Sequence, residues 1–91
     1  MNEINIDVIL KARGNTYGEF RDNARISQGI KSAMRVGNWD TLPNVQREAL
    51  EMIAHKIARI LAGDPAYVDN MVDISGYATL VAEELNYLET I

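Results

Sequence analysis

The sequence has no cysteine, one histidine, two prolines, one tryptophan and no long apolar run. Without cysteine there are no disulfides and no thiolate metal centres. A single histidine excludes a centre built from several imidazoles of one chain. No stretch approaches the roughly 20 apolar residues that a membrane span needs. The opening MNEINIDVILKARG places acids ahead of a very short apolar run, which does not read as a secretory leader, so a cytoplasm is the expected compartment. Nucleophile elbows, phosphate-binding glycine-rich loops and zinc signatures are all missing. So is the clustered basic helix of a helix-turn-helix reader, since Arg21, Arg25 and Arg35 are scattered.

What is present fits one small domain spanning 1–91, with 47% apolar and 24% charged residues. A chain this short leaves much of its surface in water, and oligomerisation would help it. The net charge of −4 is unevenly spread. Residues 1–47 carry seven bases and five acids, whereas 48–91 carry two bases and eight acids. DNA phosphates would repel the second half, so direct DNA binding is not expected. Acidic helices of this kind suit a metal or a metal-bound ligand, or simply a soluble surface.

The apolar periodicity predicts an all-α fold, a four-helix-bundle-like domain around a central antiparallel hairpin. The first helix is expected over 3–13, stopped by Gly14-Asn15. The second is expected over 18–36, with Thr16 and Glu19 forming a capping box. Trp39 and Leu42 should pin the following loop to the core. A third helix is expected over 43–62, capped by Asp40 or Thr41, with Ala49, Leu50, Ile53, Ile57, Ile60 and Leu61 on its buried face. After Gly63, Asp64 and Pro65 read as N-cap and first residue of a fourth helix over 65–88. Its buried stripe would be Tyr67, Met71, Ile74, Ala78, Val81, Leu85 and Leu88.

The chemistry-bearing residues gather around that hairpin. Glu48, Glu51, His55 and Arg59 share the face of the third helix turned from its apolar centre, with Met52 among them. An apolar residue there suggests a partly covered face; a solvated row of i, i+4 neighbours is the plainer reading. Asp69 and Asp73 lie one turn apart on the fourth helix, a repulsive spacing that a cation, or Lys56 and Arg59 across the hairpin, would offset. Asp69, Asp73 and Glu48 are therefore the candidate ligands for a divalent metal, and Lys56 and Arg59 the candidate phosphate contacts. Gly76 marks either a close helix crossing or space beside the carboxylates. Tyr17-Gly18, flanked by Arg13 and Arg21, offers a grouping that would contact a base, through the flat ring, and a phosphate, or a tyrosine that merely closes a loop onto the core. The lone His55 reads as incidental rather than catalytic.

The order TYGEF, HKIARIL, DPAYVDNMVDISGYATL resembles a family of small tailed-phage and prophage proteins sharing a tYGdf…KiaRi…DxxxDxxGYA pattern across about residues 9–84. More remotely, the arrangement is similar to the all-α nucleotide pyrophosphohydrolases of the MazG-like and dUTPase-like type, which hold magnesium against a nucleotide triphosphate with an E-x-x-E and an E-x-x-D pair. Glu48-Ala-Leu-Glu51 matches the first pair, while Asp69-x-x-x-Asp73 is one residue longer than the second. The resemblance implies a homo-oligomer, a bacterial host cytoplasm and a nucleotide ligand. Three function classes follow: a magnesium-dependent nucleotide-binding or pyrophosphohydrolytic protein, a non-catalytic oligomeric module that binds a nucleotide or a host or phage protein, or a purely structural small oligomer. A two-fold dimer is expected, since Met52, Leu80 and Tyr87 are apolar groups that a small monomer would leave wet.

Overall fold

In the computed structural model, which describes residues 5–90, the chain forms four helices and, among those residues, no strand. They are α1 (Ile6–Tyr17), α2 (Phe20–Met34), α3 (Asn44–Ala62) and α4 (Val68–Thr90), with a 3-10 turn at Trp39–Thr41 between α2 and α3. This is the expected helical bundle. No helix among the described residues is long and apolar enough to cross a membrane.

α3 is the centre, with α2 packed on one side and α4 on the other. Ala54 lines a groove with Ile30 and Met34 of α2, while Ala49 lies with Tyr77, Leu80 and Val81 of α4. The two alanines are about 140° apart around the helix axis. Because Lys56 meets Asp73 while Ala49 meets Leu80 and Val81, α3 and α4 run antiparallel, as the hairpin requires. The deepest apolar positions are small: Ala54 and Ala58 are 1% and 0% exposed, and Trp39 closes the end of the core as expected. Alanine lets helix backbones approach closely but removes little apolar surface from water. Asn23, Ser27, Lys56 and Asn70 are buried beside them.

The expected stripes are only partly covered. Leu61, Met71, Leu85 and Leu88, assigned to the interior, are exposed, whereas Ile74 and Val81 are half-buried. A single neighbouring helix covers only part of the circumference of α4. Leu80 and Tyr87 are 59% and 60% exposed, as expected for a monomer. α1 buries none of its residues, and every residue of α4 from Ala82 to Thr90 is exposed.

Several boundaries differ from the sequence reading. Helix α1 continues through Gly14-Asn15 and stops at Gly18, whose φ of 85° serves the turn that Gly14 was expected to make. Its start is capped by Asn5, whose Oδ1 accepts from the Val8 N–H at 3.3 Å, and residues 3 and 4 of the expected helix lie outside the described residues. Thr16 is not an N-cap; it sits inside α1 and its hydroxyl donates to the Ala12 carbonyl. Pro43, not Asp40 or Thr41, occupies the N-cap position of α3. Asp64 does not cap a helix at Pro65: its carboxylate accepts from the Ala66 N–H at 2.9 Å, making a local turn, and α4 begins at Val68.

One contact fixes the two turns against each other. The Asp64 N–H donates to the Thr16 carbonyl at 2.9 Å, and the Asn23 side-chain amide donates to the Tyr17 carbonyl at 3.3 Å. A Cβ on Gly18 would collide with the Ala62 backbone, and one on Gly63 with the Thr16–Tyr17 backbone. This pairing of glycines places Tyr17 over the end of α3.

Candidate functional site

Tyr17, set down by that contact, organises a cluster of cations. The Arg59 guanidinium lies 4.2 Å from its ring centroid and that of Arg13 lies 5.4 Å away. The ring of Tyr67 meets that of Tyr17 edge-on, at 5.7 Å between centroids and 84° between planes. Aromatic faces attract cations, which explains why the ring tolerates both guanidiniums. A pocket of about 200 Å³ opens beside them, lined by Leu10, Arg13, Tyr17, Asn23, His55 and Arg59 among others. Neither arginine has a carboxylate within ion-pair distance among the described residues, where Lys56–Asp73 is the single ion pair.

The sequence candidates separate into three groups. Tyr17 and Arg59 come together, and Asp69 stands close by: interaction with the Tyr17 hydroxyl first, and with the Asp69 carboxylate second, raises the Tyr67 phenol to about 12. Lys56 and Asp73 form a closed pair at 2.9 Å, with the lysine buried and the carboxylate half in water. Glu48 lies elsewhere, exposed in a surface hollow with Asn44, Arg47 and Glu51. Eight residues along α3 separate it from Lys56, about 12 Å of helix. The described residues hold no cluster of three acidic or histidine side chains able to grip a cation. Glu48, Asp69 and Asp73 therefore do not converge within one chain, and magnesium finds no ready cage there. Gly76 makes no close crossing in the chain, for nothing lies within 4 Å of where its Cβ would be. Tyr17, the proposed base contact, already has Arg59 against its ring and serves as a platform for that guanidinium.

Of the other lining residues, Arg13 was legible in the sequence as a flank of Tyr17-Gly18 in a grouping suited to a base and a phosphate, one turn back on a helix expected to end there. His55 looked incidental, yet it is half-buried in the pocket wall. Burial first, then the charges of Arg59, Lys31 and Lys56, hold its imidazole below the ordinary histidine value. A folded-state pKa below the unfolded one means that the unfolded chain binds the proton more readily. Stability is then complete above about pH 6.5 and declines as pH falls through that value toward the lowered one. His55→Gln should remove this decline, so that melting temperatures at pH 7.5 and pH 5.5 differ less in the variant than in the parent. Equal pH dependence in the two proteins would show that His55 stays outside the cationic field.

No curated protein and no solved structure matches the chain. Residues 3–85 match the family described as a domain of unknown function (DUF6378), and the chain, covered over nearly its whole length, belongs to that family.

Proposed function

We propose that this protein is a subunit of a helical oligomer that binds a phosphate-bearing, nucleotide-like ligand in the pocket between α1 and α3. The observation that carries this reading is the pair of guanidiniums around Tyr17 without a carboxylate of their own. Two like charges held around one ring repel each other, and an anion in the pocket that both line relieves the repulsion. Arginine forks match phosphate oxygens in pairs. Leu10 and Phe20 on the pocket wall suit the flat, apolar part of a nucleotide. Binding, rather than pyrophosphohydrolysis, is the activity a single chain supports, because Asp73 is held by Lys56 and Glu48 is remote. The phage or prophage setting suggested by the TYGEF…GYATL pattern is compatible with such a binding module. Exposed apolar side chains on α1 and α4 support the oligomer.

Thermal shifts with nucleoside triphosphates, nucleoside monophosphates and inorganic phosphate, each with and without magnesium, test the reading. A ligand specific to the folded state raises the melting temperature by mass action. The triphosphate should give the largest rise. Arg59→Gln and Arg13→Gln should each weaken binding by about 10- to 100-fold, the loss of one charge-assisted contact. A rise that survives both substitutions would move the ligand out of this pocket. No rise with any phosphate compound would remove the proposal.

A further inference from the structure

His55 is the one side chain of the Tyr17 pocket whose charge can change near neutral pH. Arg13 and Arg59 keep their protons in any protein setting. The Tyr17 hydroxyl is engaged by Tyr67, and the Asn23 amide donates to the Tyr17 carbonyl. The His55 imidazole is half-buried in the pocket wall. Among the described residues no side-chain hydrogen bond engages its ring nitrogens. It precedes Arg59 by one helical turn, so both side chains leave the same face of α3. The charges around it are cationic: Arg13 faces the pocket from α1, Lys31 acts from α2, and Arg59 and Lys56 act from α3 itself. The acids stand off. Glu51, one turn before His55, lines the hollow beside Glu48. Glu19 approaches the lining at Gly14, where its Oε1 is 4.0 Å from the position a Cβ would take. On the α4 side Asp69 acts on Tyr67, and Asp73 is closed on Lys56. None of these carboxylates lines the pocket or figures among the charges acting on His55.

We propose that His55 takes a proton from solvent as a phosphate group enters this pocket and donates a hydrogen bond to it, and that the site thereby selects a terminal phosphate over a phosphodiester. This deepens the phosphate-ligand reading above and rests on it. In the empty pocket the imidazole stands in a field of like charge, which disfavours the imidazolium. A bound dianion reverses the sign of that field and favours the charged ring. The imidazolium then adds a third cationic donor to the two guanidinium forks. Charge decides which phosphate can do this. A terminal phosphate, with a second ionisation near about 6, carries close to two negative charges at neutral pH, and a diester carries one. One negative charge between Arg13 and Arg59 leaves the pocket positive and His55 unprotonated. Two negative charges balance the arginines and leave oxygen atoms for His55. Phosphate binding and protonation therefore strengthen each other by the same factor.

The chain has a single histidine, so in tag-free protein the imidazole proton resonances belong to His55. Their pH titration is recorded for the free protein and with saturating adenosine triphosphate, inorganic phosphate or cyclic adenosine monophosphate, all without magnesium. The midpoint should rise by about one pH unit or more with the first two, which equals about tenfold tighter binding to the protonated form. The cyclic diester should leave it near its free value. Affinities for adenosine triphosphate at about pH 8 and about pH 6.5 are then compared in the parent and in His55→Gln. The ligand's own ionisation enters both proteins alike, and the gain on acidification should be about three- to tenfold larger in the parent. The ring titration needs only the parent, so it decides the matter even where His55→Gln unfolds. A midpoint that stays put with adenosine triphosphate or inorganic phosphate bound, or an equal gain in the two proteins, would overturn the part given to His55 and leave the pocket's ligand in place. An equal rise with the cyclic diester would overturn the selection of a terminal phosphate. No binding of either adenosine triphosphate or inorganic phosphate would overturn the pocket reading and the role of His55 with it.

Discussion

Alanine at position 18 or 63 should destabilise this protein more than any other single methyl group added to it. At Gly18 two penalties combine. Its φ of 85° lies where an L side chain meets its own backbone, and the added Cβ would run into the Ala62 carbonyl. Positive φ costs roughly 1–3 kcal/mol and overpacking against backbone roughly another 1–3. At Gly63 the penalty is one of overpacking alone, for the Cβ meets the Thr16 carbonyl and the Tyr17 Cα. A domain with about 5–15 kcal/mol of stability, and a small one at that, loses much of it. Gly29→Ala is the control. It lies inside α2 with nothing within 4 Å, and alanine there should stabilise by about 0.5–1 kcal/mol. Urea midpoints at one protein concentration report all three. If Gly63→Ala unfolds at the parent's midpoint, the turn after α1 is not seated on the end of α3.

The two halves of the Lys56–Asp73 pair should respond unequally to removal. The lysine side chain is 11% exposed and the aspartate side chain 46%. Asp73→Asn leaves an ammonium in the protein interior with its counter-charge gone. The cost is about 1–3 kcal/mol, below that of a fully buried pair because water reaches the partner's position. Lys56→Met instead leaves a carboxylate that is already half in water, and fills the buried space with an apolar chain of similar length. Its effect should be under about 1 kcal/mol in either direction. In the double variant the Asp73→Asn penalty should vanish, and denaturation midpoints of the four proteins test this. Equal losses from the two single changes would mean that lysine is not the buried partner. The phosphate-ligand binding proposed above should survive Asp73→Asn, since that carboxylate does not line the pocket.

The hairpin of α3 and α4 was legible because its apolar residues recur with the helical period and because Gly63-Asp64-Pro65 interrupts them. Tyr17 and Arg59 were legible as separate candidates. Their meeting was not, since it depends on the contact between Thr16 and Asp64, 48 residues apart in the chain. The choice between Gly14 and Gly18 as the end of α1 has the same origin. Either glycine stops a helix by local rules, and only the seat at Ala62–Gly63 requires the second. Lys56 and Asn70 went unnoticed as interior residues because apolar periodicity passes over polar side chains. The exposed Met71 and Leu85 carry the converse lesson: a stripe marks a face that wants cover without naming what supplies it.

The alanines at the centre of α3 alter the way this chain can change over time. In a core of leucine and phenylalanine, drift usually means shrinkage, and a cavity is the characteristic injury. At Ala54 and Ala58 almost nothing remains to be taken away. Substitution there proceeds by enlargement, which pushes helices apart and tilts everything mounted on them. The spacing of α2 and α4 about α3 is thus set by the smallest side chains in the molecule. Inheritance of the helix spacing therefore rests on positions that lie outside the Tyr17–Arg59 pocket.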